Sequence, residues 1–159
     1  MHTRRNALAA CSAILAGLVG TRAAVAAPDD DGVVSVKSAY GFDETIARLQ
    51  ADIAAKKIMF FSAIDQAKLA SGAGIALRPS TLLIFGNPPL GIQFLTANPR
   101  AGLDWPVRLL VTEDDQGQVW ASYTDFAWIA RRHRIEERAA AFKMASEVIA
   151  SITSSVAAK

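Results

Sequence analysis

The sequence predicts an α+β domain, with an antiparallel sheet of about five strands packed against two main helices in the order β-α-β-β-β-β-α. Two amphipathic patterns, one near each end, predict the helices. Between them, strand-like segments follow one another without the regular alternation with long helices that a parallel sheet requires. The chain has 159 residues, of which 52% are hydrophobic and 20% charged. This composition fits one domain with a core and excludes a disordered chain.

The domain is predicted to begin with a strand followed by a helix. Val33 to Ser38 is rich in β-branched residues, which favours a strand. Apolar residues then recur at steps of four, three and four, on one helical stripe: Phe42, Ile46, Leu49 and Ile53. An acidic pair at 43–44 and a basic pair at 56–57 complement the helix dipole, which supports a helix between them.

The middle of the chain predicts shorter elements. Ile58 to Ile64 is short and rich in bulky side chains, and we expect a strand there that ends near Asp65. Glycines at 72 and 74 and prolines at 79, 88 and 89 interrupt the segments that follow. In chain order these are a short helix at 66–70, a strand at 80–85 and a second short helix at 90–97.

The C-terminal part predicts a hairpin and a long helix. Val107 to Thr112 and Val119 to Thr124 flank a polar loop that contains Gly117, which is typical of a hairpin. The last helix is expected from an apolar stripe: Ile135, Phe142, Ala145, Ile149, Ile152 and Val156. Such a stripe either packs against the sheet or, because its main spacing is seven, pairs with a second copy of the helix.

Residues 1–26 have the composition of a cleavable export signal. Arg4 and Arg5 precede an apolar run at 7–20, and Ala24-Val25-Ala26 supplies the small residues of a cleavage site. The run is shorter than the roughly 20 residues that a membrane-spanning helix needs, so no permanent anchor is expected. Its adjacent arginines fit the twin-arginine route as well as the general secretory route. We therefore expect a periplasmic or secreted protein, with an acidic leader at 27–32 and a single domain at 33–156.

Cleavage would change the charge and thiol content of the chain. Removing Arg4, Arg5 and Arg22 from the 17 basic residues leaves 14 against 15 acidic ones, a net charge of −1. The basic surface of a nucleic-acid binder is therefore not expected. Cys11 is the only cysteine and would leave with the signal. A lone cysteine forms no internal disulfide and cannot supply a structural zinc site.

Several short motifs match a known family, and they stand in the family's order: Tyr40–Thr45, Ile64–Asp65, Leu82–Pro88, Asn98–Pro99, Leu103–Pro106 and Ser122–Tyr123. From about residue 33 to 152 the chain resembles the domain of unknown function 302 family. The Phe-Gly-Asn-Pro block followed by the Leu-Asp-Trp-Pro block is the most specific part. The resemblance implies a curved antiparallel sheet against helices, similar to the TATA-binding-protein-like group. It also implies a small, often exported domain for which a dimer is unsurprising. No activity is established for the family, so no catalytic residue is carried over.

Three motifs contain residue types that occur in reactive or cofactor-binding sites. His133 lies within Arg131–Arg134, which is either a solvated basic turn before the long helix or the position of a metal- or haem-ligating imidazole. Ser122, Asp125 and His133 are the residue types of a hydrolase triad, but the G-x-S-x-G elbow is missing. Gly72–Gly74 lacks the third glycine of a dinucleotide-binding loop and is predicted as a turn.

Polar residues at the ends of elements suggest a binding site: Asp65, Asn87, Asn98 and Asp104. Asn and Asp favour turns because they bond to nearby backbone, and this is one interpretation. The other is that the sheet brings them to one rim above an apolar pocket lined by Phe60, Phe85, Phe94 and Trp105. The ligand-binding hypothesis therefore comprises six residues: Asp65, Phe85, Asn87, Asn98, Asp104 and Trp105.

The leading functional prediction is a non-enzymatic module that binds a small molecule or a partner. The first alternative is an enzyme of unknown substrate, with Asp65 as the carboxylate expected in a perturbed pocket environment. The second is a structural homodimer, which predicts an exposed apolar strip on the long helix or the sheet. No catalytic residue, metal ligand or nucleic-acid partner is predicted, and the cofactor is unknown.

Overall fold

The computed structural model describes residues 27–158. They form a five-stranded antiparallel sheet with the strand order β1-β5-β4-β3-β2, and helices pack on it. The predicted α+β fold is confirmed. The strands are β1 (Val33–Lys37), β2 (Met59–Asp65), β3 (Ser80–Gly86), β4 (Val107–Glu113) and β5 (Val119–Thr124). The helices are α1 (Phe42–Ala55), α2 (Gln66–Gly72), α3 (Pro88–Ala97), α4 (Phe126–His133) and α5 (Ala139–Ser154), with a 3₁₀ helix at Pro99–Leu103.

The core lies between one face of the sheet and helices α1 and α5. Residues paired directly across neighbouring strands share a face of the sheet. Leu83 pairs with Leu109, and Leu109 pairs with Tyr123, so these three side chains form one buried row. Leu49 and Ile53 of α1 are fully buried against this layer. The predicted stripe of α1 is therefore the face that packs into the core.

The hairpin between β4 and β5 forms as predicted from its polar loop. Asp114 organises the loop because its carboxylate accepts hydrogen bonds from the backbone of Gln116 and Gln118, each at 2.9 Å. The indole of Trp120 donates to the same carboxylate at 2.8 Å, and this bond is the main cause that lowers the pKa of Asp114. Gly117 takes a φ of 74°, a value that glycine adopts without strain.

The C-terminal region differs from the prediction of one long helix beginning at Ile135. Residues 126–133 form the separate helix α4, which begins where the Asp125 carboxylate accepts a hydrogen bond from the Trp128 backbone. The helix ends at Arg134, whose φ is 53°. Ile135 is buried in the turn before α5, not in a helix. Ile135 lies one heptad before Phe142 but outside α5, which begins at Ala139, so the apolar spacing predicts the start of the helix too early.

The N-terminal predictions are only partly within the described chain. The export signal at 1–26 lies outside the described residues. In the acidic leader, Asp29 accepts hydrogen bonds from the backbone of Asp31 and Val33, which makes a turn into β1. None of the helices in residues 27–158 is long and apolar enough to cross a bilayer.

Candidate functional site

An apolar cleft opens between the end of β3, the start of α3 and the side of α5. Its cavity volume is about 30 Å³, and the cleft opens outward into solvent. Three residues from the sequence-based pocket line it, namely Phe85, Phe94 and Trp105, together with Val148 of α5. The ring of Phe94 stacks on Phe142 with a centroid separation of 4.2 Å, which fixes the inner wall.

The Trp105 indole lies close to the backbone at two glycines. A β-carbon on Gly91 would stand 1.9 Å from the indole nitrogen, and one on Gly86 would stand 3.2 Å from it. Phe61 of β2 contacts the same indole edge-on, with centroids 6.4 Å apart. The two glycines, one ending β3 and one inside α3, therefore make the space that Trp105 occupies in the cleft.

The mouth of the cleft is polar and continues into a wider groove. Asn87 is the N-cap residue of α3 and lines the cleft. Its side chain is exposed and makes no capping hydrogen bond, so the amide is free at the mouth. The outer groove has a volume of about 410 Å³ and is bordered by Lys56 and Glu147. Leu90 and Val148 line both spaces. The site is thus apolar inside and polar or charged outside.

The predicted rim residues do not share one rim. Phe85, Asn87 and Trp105 line the cleft together. Asp65 instead caps α2, where its carboxylate accepts a hydrogen bond from the Lys68 backbone at 2.8 Å. Phe60 is 39% exposed on β2 and is not part of the cleft lining.

Asn98 and Asp104 belong to a second, polar cluster. The Asp104 side chain is only 5% exposed. Its carboxylate is hydrogen-bonded to the His133 ring nitrogen at 2.5 Å. Arg132 approaches the same carboxylate at 3.1 Å and Arg108 at 3.2 Å. Asn98 donates its amide to the backbone carbonyl of His133 at 2.8 Å. This Asp104 cluster joins α4 to the 3₁₀ helix and to β4.

His133 is the clearest correction at this site. The solvated basic turn expected there is wrong, because the ring is buried at the end of α4 and bound to Asp104. The three residue types of a hydrolase triad are also apart: Ser122 bonds to Ser35 at 2.9 Å, and Asp125 caps α4. The partner of His133 is Asp104, the acid of the Leu-Asp-Trp-Pro block and the one buried carboxylate among the described residues. That block is the sequence signal that could have indicated this pairing.

The inner cleft is lined by neutral side chains. Within the described chain, no ionisable side chain lines the inner cleft. In residues 27–158, no group of three or more His, Cys, Asp or Glu side chains is placed to hold a metal ion. Burial, followed by the negative charge of Asp125, raises the pKa of Tyr123 to about 12, but this hydroxyl belongs to the core and is not part of the cleft lining.

The described residues form a small α+β domain with an apolar cleft beside a tryptophan. Residues 34–156 match the family described as "Domain of unknown function DUF302", and the chain belongs to that family. The resemblance inferred from its motifs is confirmed.

A solved structure supports the fold. The chain is similar to the uncharacterized conserved protein DUF302 from Bacillus stearothermophilus, with a TM-score of 0.72. The sequence identity is 16%, and the match covers 79% of this chain and 98% of the other.

Two sequence relatives carry a functional name. The "Fluoride-specific ion channel FluC 1" of Brucella suis biovar 1 (strain 1330) is 39% identical over 106 residues, covering 67% of this chain and 42% of that protein. The "Fluoride-specific ion channel FluC 2" of Brucella melitensis biotype 1 is equally similar, with 39% of its length matched. The chain therefore spans about two fifths of the length of these relatives.

Proposed function

We propose that this chain is a non-enzymatic exported domain that binds a small amphipathic molecule in the cleft beside Trp105. The observation that carries the proposal is the polarity of the site: an inner space lined by apolar side chains, and a mouth with the free amide of Asn87. Ligand sites in proteins have this composition, with few polar groups that orient a mostly apolar ligand.

The direction of polarity suggests how the ligand lies. Its apolar part contacts Phe85 and Trp105, and its polar end points to Asn87 and the Lys56 side of the groove. Lys56 is already paired with Asp52 at 2.5 Å, and Glu147 borders the same groove, so the charges at this end do not select an anionic head group over a cationic one. We therefore propose a ligand with one apolar body and one polar or singly charged end.

The location belongs to the same proposal. The basic start, apolar run and Ala-Val-Ala sequence in residues 1–26 support export, through the general secretory or the twin-arginine route. A periplasmic or secreted protein would meet its ligand outside the cytoplasm. N-terminal sequencing of the protein recovered from the periplasm tests the cleavage after Ala26.

A cleft-filling substitution tests the binding site. Val148→Trp places a large side chain in the cleft, whereas Lys143→Trp places the same side chain on the exposed face of the same helix. We expect native mass spectrometry of the wild-type protein to show extra mass that is lost on denaturation. Anilinonaphthalene sulfonate, an amphipathic anionic probe, should bind the wild type and Lys143→Trp with enhanced fluorescence.

Val148→Trp should lose both the extra mass and at least tenfold of the probe affinity. Equal probe binding by the two tryptophan variants, each folded by circular dichroism, would show that the cleft is not the site. Extra mass that persists in Val148→Trp would lead to the same conclusion.

A second candidate function rests on the 39% identity to proteins named fluoride-specific ion channels. In this second candidate function, the domain acts beside a fluoride channel and binds fluoride. A rise in melting temperature with sodium fluoride, absent with sodium chloride at the same ionic strength, is the expected result. Equal shifts with both salts would remove this candidate, because a general salt effect explains them.

A further inference from the structure

The buried Asp104 carboxylate holds two exposed arginines in addition to its buried partner. His133, as buried as Asp104 itself, is bonded to Oδ2 at 2.5 Å. Arg132 and Arg108 approach the same carboxylate with side chains that are 45% and 49% exposed. Ion pairs with exposed partners add little to stability, because water screens them. Stability alone therefore does not explain why two guanidiniums converge on one acid.

Both guanidiniums keep hydrogen-bond donors that the protein does not use. Within residues 27–158, Arg108 bonds only through Nη2, to Asp104 and to the Leu103 carbonyl, and Arg132 bonds only through Nη1. Arginine has five N–H groups in one plane, so the Nε and the second Nη of each side chain are left to bind something else. Both side chains contact the same oxygen of Asp104, at 3.2 and 3.1 Å, and their guanidiniums are therefore close neighbours.

The two guanidiniums are held in position by further contacts. Arg132 lies over the ring of Trp128, with the guanidinium carbon 5.4 Å from the ring centroid. Arg108 is fixed by the Leu103 carbonyl, and its strand β4 is paired on both sides. Groups that are already fixed lose less conformational freedom when a ligand binds, which favours affinity.

The segments that carry the pair are strongly basic. Residues 98–108 and 126–134 contain five arginines and one acidic residue, Asp104. Besides the pair, the exposed arginines are Arg100, Arg131 and Arg134. Cations at the end of α4 also complement the helix dipole, but Arg108 belongs to β4 and this reason does not apply to it. Asp125 is bonded to the backbone at the opposite end of α4. The local field therefore attracts an anion.

We infer that Arg108 and Arg132 bind a phosphate group, either free phosphate or the phosphomonoester of a small molecule. One arginine is enough to hold a carboxylate in a bidentate pair, whereas a phosphomonoester has three acceptor oxygens and a charge of about −1.5 to −2, which suits two guanidiniums. The phosphate oxygens accept from the unused N–H groups of both arginines, while Asp104 holds the arginines from the core side. Neither arginine lines the cleft or the outer groove, so the inference does not depend on the proposed function.

Isothermal titration calorimetry with sodium phosphate tests the site, with sodium chloride keeping the ionic strength constant so that screening does not change. We expect the wild type to show saturable binding below roughly 10 mM. Arg108→Gln and Arg132→Gln should each weaken binding roughly tenfold or more, because each removes charged hydrogen bonds to the phosphate. Arg78→Gln is the matched control and should bind as the wild type does. Arg78 is 54% exposed in its own ion pair with Asp115, and it lies at the opposite end of the sheet.

Glycerol 3-phosphate distinguishes the two sources of the phosphate group. Tighter binding of glycerol 3-phosphate than of inorganic phosphate supports a phosphomonoester as the ligand, and the reverse order supports free phosphate. In either case the two arginine variants should lose the binding.

Nuclear magnetic resonance of the wild-type protein tests the geometry without any substitution. The Nε–H signals of Arg108 and Arg132 should shift as phosphate is added, and the Nε–H signal of Arg78 should not. Three results would each overturn the inference. These are no saturable binding of either phosphate compound, equal binding by all three glutamine variants when circular dichroism shows them folded, and equal shifts at the three arginines.

Discussion

Removing the Asp104 carboxylate should destabilise the fold by about 3 kcal/mol, within the range for breaking a buried ion pair by deleting one partner. Asp104→Ala leaves the His133 ring nitrogen, in a side chain only 5% exposed, without its partner. A buried unpaired polar group costs about 1–3 kcal/mol. Arg108 and Arg132 are 49% and 45% exposed, so water replaces most of what they lose and their share is small. The space left by the carboxylate adds about 1 kcal/mol.

Urea unfolding followed by circular dichroism measures this loss, which corresponds to a fall in melting temperature of roughly 10 °C for a domain of this size. Asp115→Ala is the matched control, since that carboxylate is 89% exposed in its ion pair with Arg78 and should cost at most about 0.5 kcal/mol. His133→Phe keeps Asp104 paired with two arginines and should cost about 1–2 kcal/mol. A loss for Asp104→Ala no greater than that for Asp115→Ala would refute the role assigned to the cluster.

Two further predictions concern the cleft and the core. Gly91→Ala should cost about 1–3 kcal/mol in urea unfolding, because its β-carbon would overlap the Trp105 indole, whereas Gly102→Ala, with its nearest side-chain atoms at 3.9 Å, should be tolerated. Burial and Asp125 raise the pKa of Tyr123 to about 12 from 10.0, so its stabilising contribution is complete below pH 10 and is lost as the pH rises towards 12. Tyr123→Phe should flatten this alkaline decrease in unfolding free energy, and an unchanged decrease would contradict the assignment.

The elements that were predictable are those whose local pattern agrees with their tertiary contacts. The α1 stripe is buried on one side, and the hairpin loop contains the Asp and Gly that its turn uses. Helix α4 was missed because it is short and ends in arginines that resemble a solvated turn. Its start was readable in principle, since Asp125 is a normal N-cap three residues before Trp128.

The candidate site was half predictable for a topological reason. Antiparallel strands alternate in direction, so residues that each end a strand fall at opposite ends of the sheet. Asp65 ends β2 but pairs with Thr81 at the start of β3, whereas Asn87 follows the end of β3. Trp105 precedes β4 and therefore lies at the Asn87 end. A position at the end of a strand or helix identifies candidate site residues. The strand pairing then decides which of these residues lie close together.

The cleft and the Asp104 cluster are joined by shared walls. Val107 and Phe126 line the apolar cleft and also a small cavity of about 10 Å³ beside Asp104. Asp104 is adjacent in sequence to Trp105 and is held by His133 at the end of α4, the helix that begins with Phe126. Loss of the carboxylate therefore releases both the segment that carries Trp105 and the helix that carries Phe126. If the cleft is the binding site, Asp104→Asn should weaken probe binding while the protein remains folded, although Asp104 contacts no ligand. Asp104 would then be a positioning residue for the cleft, which gives the polar cluster a part in binding.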